Sequence, residues 1–168
     1  MRVVPYDGGW VREFEKIRDE IESAIGGLIL RVEHVGSTSV PALCAKPCID
    51  IDVVIADRGV LPGVIRGLGE IGYIHEGDLG ISGREAFRYT DKPHLAAHHL
   101  YVCAEDCEEL RRHIRFRDFL REDHEAARRY GEVKTGAAEL YPDDIDGYIR
   151  YKSALIEELY RLCGLTQE

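Results

Sequence analysis

Residues 28–55 read LILRVEHVGSTSVPALCAKPCIDIDVVI, and the organisation of the whole chain follows from this stretch. Residues 28–35 alternate, with Leu28, Leu30, Val32 and His34 on one side, which predicts a half-buried strand stopping at Gly36-Ser37. A loop of small residues, Ser37-Thr38-Ser39-Val40-Pro41, follows. Beyond Lys46-Pro47, residues 48–55 (CIDIDVVI) are rich in β-branched side chains and read as a second, largely buried strand. Side chains two apart on a strand share a face, so Asp50 and Asp52 project together.

Two carboxylates on a buried strand repel each other and lose hydration, so a cation or strong donors must compensate them. A hard divalent ion, Mg²⁺ or Mn²⁺, suits such oxygen ligands. The plain alternative is a strand whose outer face is simply wet. The preceding turn favours the first reading: Gly36 permits close backbone approach, and Ser37 offers a hydroxyl and an amide to a phosphate oxygen that the same cation could bridge.

Outward from this pair of strands, Trp10, Phe14, Ile17, Ile21 and Ile25 fall at helical spacing between Asp7, a natural N-cap, and Gly26-Gly27. A second helix is expected over 59–71, a short strand at 73–75, and a hairpin pairing 84–90 with 97–103. One long, charged helix is expected over 105–130, and a last one capped by Asp143 and running to Gly164. Strands cluster in the first two thirds and helices dominate the rest, which predicts an α+β fold: a mixed sheet covered by helices, with residues 1–168 as one domain.

Composition narrows the function. The formal charge is −9, which argues against nucleic acid as a partner, because such binding draws on Lys and Arg against phosphates. No apolar run approaches a membrane span and no leader pattern opens the chain, so a cytoplasmic protein is expected. Five cysteines in a chain able to build a core fit a reducing compartment. The pairs Cys44/Cys48 and Cys103/Cys107 invite a zinc reading, but their positions at strand ends suit small packed hydrophobes better. The arginines of 111–129, interleaved with acids, read mainly as a solvated face with i,i+4 pairs.

A resemblance runs through these residues. Val4-Pro5-Tyr6-Asp7, the run from Arg31 through His34-Val35-Gly36-Ser37-Thr38 to Pro41, Ala45-Lys46-Pro47, Ile49-Asp50-Ile51-Asp52-Val53, Arg88, His98-His99-Leu100, Phe116-Arg117-Asp118-Phe119-Leu120, and Tyr148 with Lys152 together resemble the GrpB family. The resemblance implies a nucleotidyltransferase-like fold of the polymerase β type, in which the Gly-Ser turn and the Asp-x-Asp strand build a Mg-nucleotide site. It implies that Gly36 and Ser37 hold terminal phosphates, that Asp50 and Asp52 hold the metal, and that Lys46, Arg84, Arg88 and Lys152 lie near the site. It also implies a link to the CoA pathway, since some family members are joined to dephospho-CoA kinase.

Nucleotidyltransferases of this fold usually add a third carboxylate from a later strand, and residues 97–102 (AHHLYV) contain none. His99 shares a face with Tyr101 and is expected to serve as base in its place, with Glu85 and Asp91 as the nearest other carboxylates. His34, His98 and His99 could also gather with the two aspartates around a transition metal, although His34 reads better as a hydrogen-bonded strand residue. The expected function is transfer of a nucleoside monophosphate from a triphosphate to a small acceptor, or one delivered by a partner. A catalytically silent nucleotide- or CoA-binding module is the alternative, and a metal-dependent phosphohydrolase a third.

Overall fold

The computed structural model describes residues 2–165. Helix α1 (Gly9–Ile25) buries Trp10, Phe14, Ile17, Ile21 and Ile25, the apolar stripe that its sequence spacing dictates. Asp7 accepts the Gly9 amide at 2.8 Å, while Gly8 holds the cap position itself. Strand β1 (Arg31–Val35) is shorter than its alternation suggests. Residues Gly26–Leu28 form a 3₁₀ turn, and Leu28 and Leu30 are exposed, so only Val32 and His34 of the alternating set enter the sheet.

The other elements are β2 (Ile49–Ile55), α2 (Leu61–Glu70), β3 (Ile74–Gly77), β4 (Arg84–Arg88), β5 (His98–Ala104), α3 (Glu108–Glu122), α4 (His124–Leu140) and α5 (Ile145–Leu162). The strands form one mixed sheet in the order β1-β2-β5-β4-β3. Strand β2 runs antiparallel to β1 and parallel to β5, and the expected antiparallel pairing of β4 with β5 is present.

The alternation of β2 divides the molecule. Ile49, Ile51, Val53 and Ile55 join Leu100 and Val102 of β5 in a core sealed by α1 and α2. Asp50, Asp52 and Val54 face the other way, beside His99, Tyr101 and Cys103 of the parallel neighbour. Val54, Cys103, Cys107 and Leu110 form a small apolar cluster under α3, which is where one Cys-x-x-x-Cys pair is used up in packing. A third cluster sets Val40 and Leu43, from the loop between β1 and β2, against Leu120, Tyr130 and Leu159 of the C-terminal helices.

The helical third corrects two expectations. The single helix over 105–130 is two, broken at Asp123, whose extended backbone ends α3 and whose carboxylate accepts the Ala126 amide to start α4. An Asp that can satisfy an orphan amide three residues on outweighs the continuity of the charge pattern. The last helix is capped by Asp144, not Asp143. The arginines of α3 are also more than a wet face: Arg117 grips Glu33 and the His34 carbonyl of β1, and Arg121 donates to the Ser39 carbonyl. Among the described residues no helix is long and apolar enough to cross a membrane. Replacing Asp123 with Ala removes the cap at the α3–α4 junction and is expected to lower the unfolding free energy by about 1 kcal/mol in urea denaturation.

Candidate functional site

The site lies on the face of the sheet opposite α1 and α2. Gly36 leaves β1 at φ 75°, and a Cβ there would meet Asp50 Oδ2 at 2.3 Å, so the glycine lets the turn lie directly against the carboxylate. Ser37 follows, and its hydroxyl accepts from Lys134 Nζ at 2.7 Å. Lys134 also donates to the Cys44 carbonyl at 3.0 Å. Although only 5% exposed, Lys134 meets no carboxylate at salt-bridge distance among the described residues. Burial pushes its pKa down to about 8.

Around this group opens a cleft lined by Ser37, Lys46, Asp50, His99, Lys134 and Lys152, with Tyr130 and Tyr148 in its wall. Burial lowers the Lys152 pKa as well, and its ammonium stands 4.3 Å from the Tyr148 ring centroid. Three lysines thus converge on a serine beside one aspartate in a chain of formal charge −9. The arrangement has the chemistry of a phosphate cradle.

Asp50 and Asp52 do share a face, but their surroundings differ. The Asp50 side chain is partly open and its Oδ1 lies 3.0 Å from His99 Nδ1. Asp52 is 0% exposed, its Oδ2 lies 2.6 Å from His113 Nδ1, and its Oδ1 is buried with no hydrogen-bond partner. His113, from α3, also faces Glu109 at 3.2 Å. Burial alone would discharge that imidazole, but Asp52 and Glu109 hold its pKa above the ordinary value.

Several sequence expectations change here. His99 is not a free base, because its hydrogen bond with Asp50, and then Cys48, push its pKa up to about 10, leaving the ring protonated at neutral pH. His34 and His98 do not gather with the aspartates, because both point into the opposite core. His34 bonds Thr38 and stacks on Phe14, and His98 bonds Tyr73 and the Ala96 carbonyl. Arg88 lies outside the lysine cleft, two strands away from Asp50 on β4. Glu85 also turns to the core side, where Arg58 and His75 hold it. Tyr101 stands opposite Asp52 on β5, so no third carboxylate occupies that position. No group of three or more His, Cys, Asp or Glu side chains among the described residues is placed to hold a metal by itself.

The GrpB protein family model matches residues 1–162. The chain belongs to the GrpB family. The crystal structure of the conserved protein GrpB from Enterococcus faecalis superposes with a TM-score of 0.83 at 34% identity, over 96% of both chains. A dephospho-CoA kinase of Mycolicibacterium paratuberculosis is 29% identical over 184 aligned residues, covering 96% of this chain and 45% of that protein. The Cid1 poly(U) polymerase, in a structure bound to MgATP, matches with a TM-score of 0.54 at 11% identity, over 78% of this chain and 45% of its own. At that identity the likeness speaks for the fold alone, which is nucleotidyltransferase-like, as the resemblance to the GrpB family implies.

Sequence reading missed Lys134 and His113. Both sit on helices among many other charged residues, and neither spacing nor residue type marks them out. Lys134 should carry a cost in stability. Because its folded pKa lies near 8 and its unfolded value near 10.5, the buried charge disfavours the folded state by about 3 kcal/mol below pH 8, a penalty relieved as pH rises toward 10.5. Lys134→Met, which also loses two hydrogen bonds, is expected to be the more stable protein at pH 7 by roughly 1–3 kcal/mol. Denaturant titrations should show that difference shrinking as pH rises through 8 toward 10.5. Gly36→Ala, which drives a methyl into Asp50 at a positive φ, should cost about 2 kcal/mol in the same assay.

Proposed function

We propose that the protein is a metal-dependent nucleotidyltransferase that uses the lysine cleft to hold the phosphates of a nucleoside triphosphate. One observation carries this reading: a buried ammonium, Lys134, with no carboxylate partner among the described residues, bonded to the serine of a Gly-Ser turn that touches Asp50. Such a charge is expensive unless an anion arrives to meet it. The fold shared with a polymerase that binds MgATP is consistent with that anion being a nucleotide.

Asp50 and Asp52 fit a Mg²⁺ or Mn²⁺ ion, because Asp52 Oδ1 is a buried acceptor without a donor and Asp50 is open to the cleft. Mg²⁺ characteristically takes one or two carboxylates and fills its shell with water and substrate phosphates, so a two-carboxylate site suffices. When bound there, the ion would neutralise charge on the transferred phosphoryl group. Lys134, Lys46 and Lys152 would hold the departing phosphates, with the Gly36-Ser37 turn closing over them. His113 fixes Asp52 so that one oxygen stays free, and His99 braces Asp50 as a charged donor.

A second reading has its own support. Strand β5, the later strand from which this fold usually supplies a third acid, carries none, and a relative of the chain is named a dephospho-CoA kinase, which supports a nucleotide- or CoA-binding module without turnover. Calorimetry with the four ribonucleoside triphosphates and with CoA, in Mg²⁺ or Mn²⁺, tests both. We expect a triphosphate to bind, Lys134→Met to weaken it by about 10- to 100-fold, and Asp52→Asn to abolish the contribution of the metal. Binding of none of the triphosphates would remove the nucleotidyltransferase reading. CoA binding without pyrophosphate release would establish the second.

A further inference from the structure

The nucleotidyl-transfer reading, on which this inference rests, leaves the acceptor unassigned, and the geometry of the sheet narrows where it can sit. An in-line displacement puts the attacking and leaving oxygens on opposite sides of the transferred phosphorus. The lysine cleft lies against the turn after β1, so the departing phosphates occupy that side of Asp50. The attacking group must come from the side of β5 and β4. Register places His99 beside Asp50, Tyr101 beside Asp52, and Ala86 beside Tyr101.

A second cleft opens on that side, lined by Glu76, Leu79, Ala86, Arg88, His99 and Tyr101. It shares His99 with the lysine cleft, so the two meet at the histidine that bonds Asp50. Strand alternation sets Arg84, Ala86 and Arg88 on one face of β4, a small residue between two cations. The Arg84 guanidinium lies 4.1 Å from the centroid of the Tyr101 ring, and its Nε is buried without an acceptor. Among the described residues no acid lies within salt-bridge distance of Arg84, and the acid nearest Arg88 is Glu76 at 4.0 Å. Other arginines of this chain are held much more closely, Arg58 by Glu85 at 2.5 Å and Arg117 by Glu33 at 2.6 Å. Leu79, 60% exposed and at φ 52°, supplies an apolar edge from the loop after β3.

We infer that this second cleft is the acceptor subsite and that it takes a small hydroxyl compound bearing a phosphate or carboxylate group. Arg88 in the cleft wall holds the oxyanion, Arg84, stacked on Tyr101 behind that wall, adds positive potential to it, and the hydroxyl is turned toward His99 and Asp50. The hydroxyl oxygen forms a bond to the α-phosphorus of the triphosphate, the bond from that phosphorus to the bridging oxygen breaks, and pyrophosphate leaves with the electron pair into the lysine cleft. The hydroxyl proton passes to solvent through the open side of the second cleft. Cationic acceptors are excluded by the same two arginines.

The test is calorimetric titration of inorganic phosphate, and separately of succinate, into protein already saturated with Mg²⁺ and α,β-methylene ATP, which fills the lysine cleft. Saturable binding of either anion is expected, and which one binds tells a phosphorylated from a carboxylated acceptor. Arg84→Gln with Arg88→Gln should weaken that binding by about tenfold or more, and Arg88→Gln alone, at an exposed position, by about threefold or more, with affinity for the ATP analogue changed less than about twofold. If the analogue binds but neither anion does, or if the arginine variants bind the anion as tightly as the unaltered protein, the acceptor assignment is wrong and nucleotide binding stands. If the analogue itself fails to bind, the nucleotidyl-transfer reading fails and the acceptor assignment falls with it.

Discussion

Strand β2, interior to the sheet, is covered on both faces, and its strict two-residue alternation forces the consequences that the rest of the molecule manages. Every isoleucine it sends into the core commits the residue beside it to the other face, and two of those residues are aspartates. Asp52 is fully enclosed there, so its charge must be answered from elements packed against that face. The nearest strand answers only in part: His99 reaches Asp50, but the residue beside Asp52 is Tyr101. The remaining donor, His113, comes from a helix that follows the sheet in sequence.

The C-terminal helices therefore do more than cover a surface. Arg117 and Arg121 bind them to β1 and to the loop after it, while Val40 and Leu43 of that loop are packed among their apolar side chains. This clamps the Gly36-Ser37 turn between the sheet and the helices, and brings Lys134 and Lys152 over it from two successive helices. Electrostatics at the cleft oppose those of the chain as a whole. A net charge of −9 repels anions at long range, but screening limits that reach to about 10 Å, whereas the buried Lys134 beside Ser37 acts in a medium of low polarity. The proposed phosphate ligand would offset the expense of keeping Lys134 buried and charged with no carboxylate at salt-bridge distance among the described residues.

The sequence was most legible where a short-range rule dominates. The alternation of β2, the stripe of α1 and the conformational freedom of Gly36 each depend on neighbours within a few residues, and the structure keeps all three. Errors arose where local pattern and competing contacts disagree. The charge pattern of 105–130 continues smoothly through Asp123, but one capping hydrogen bond divides it. Leu28 and Leu30 alternate correctly with Val32, yet Leu28 ends a 3₁₀ turn and β1 starts only at Arg31, so neither belongs to the strand. Among the histidines, His34 makes the strand hydrogen bond its position favours, but a gathering with His98 does not form, because His98 and His99 are adjacent and therefore point to opposite sides of β5.

By itself the sequence determined the α+β class, the pairing of a Gly-Ser turn with two aspartates on one strand face, and the overall acidity against which any anion site must work. Those properties are local or additive, and no distant contact can reverse them. Only the tertiary structure decided which charges meet. It brought Lys134 to a serine 97 residues away and His113 to an aspartate 61 residues away, and it left Arg88 facing a different cleft. A charged side chain on a helix is permitted by local rules at almost any exposed position, so its role is set by what the packed sheet places in front of it.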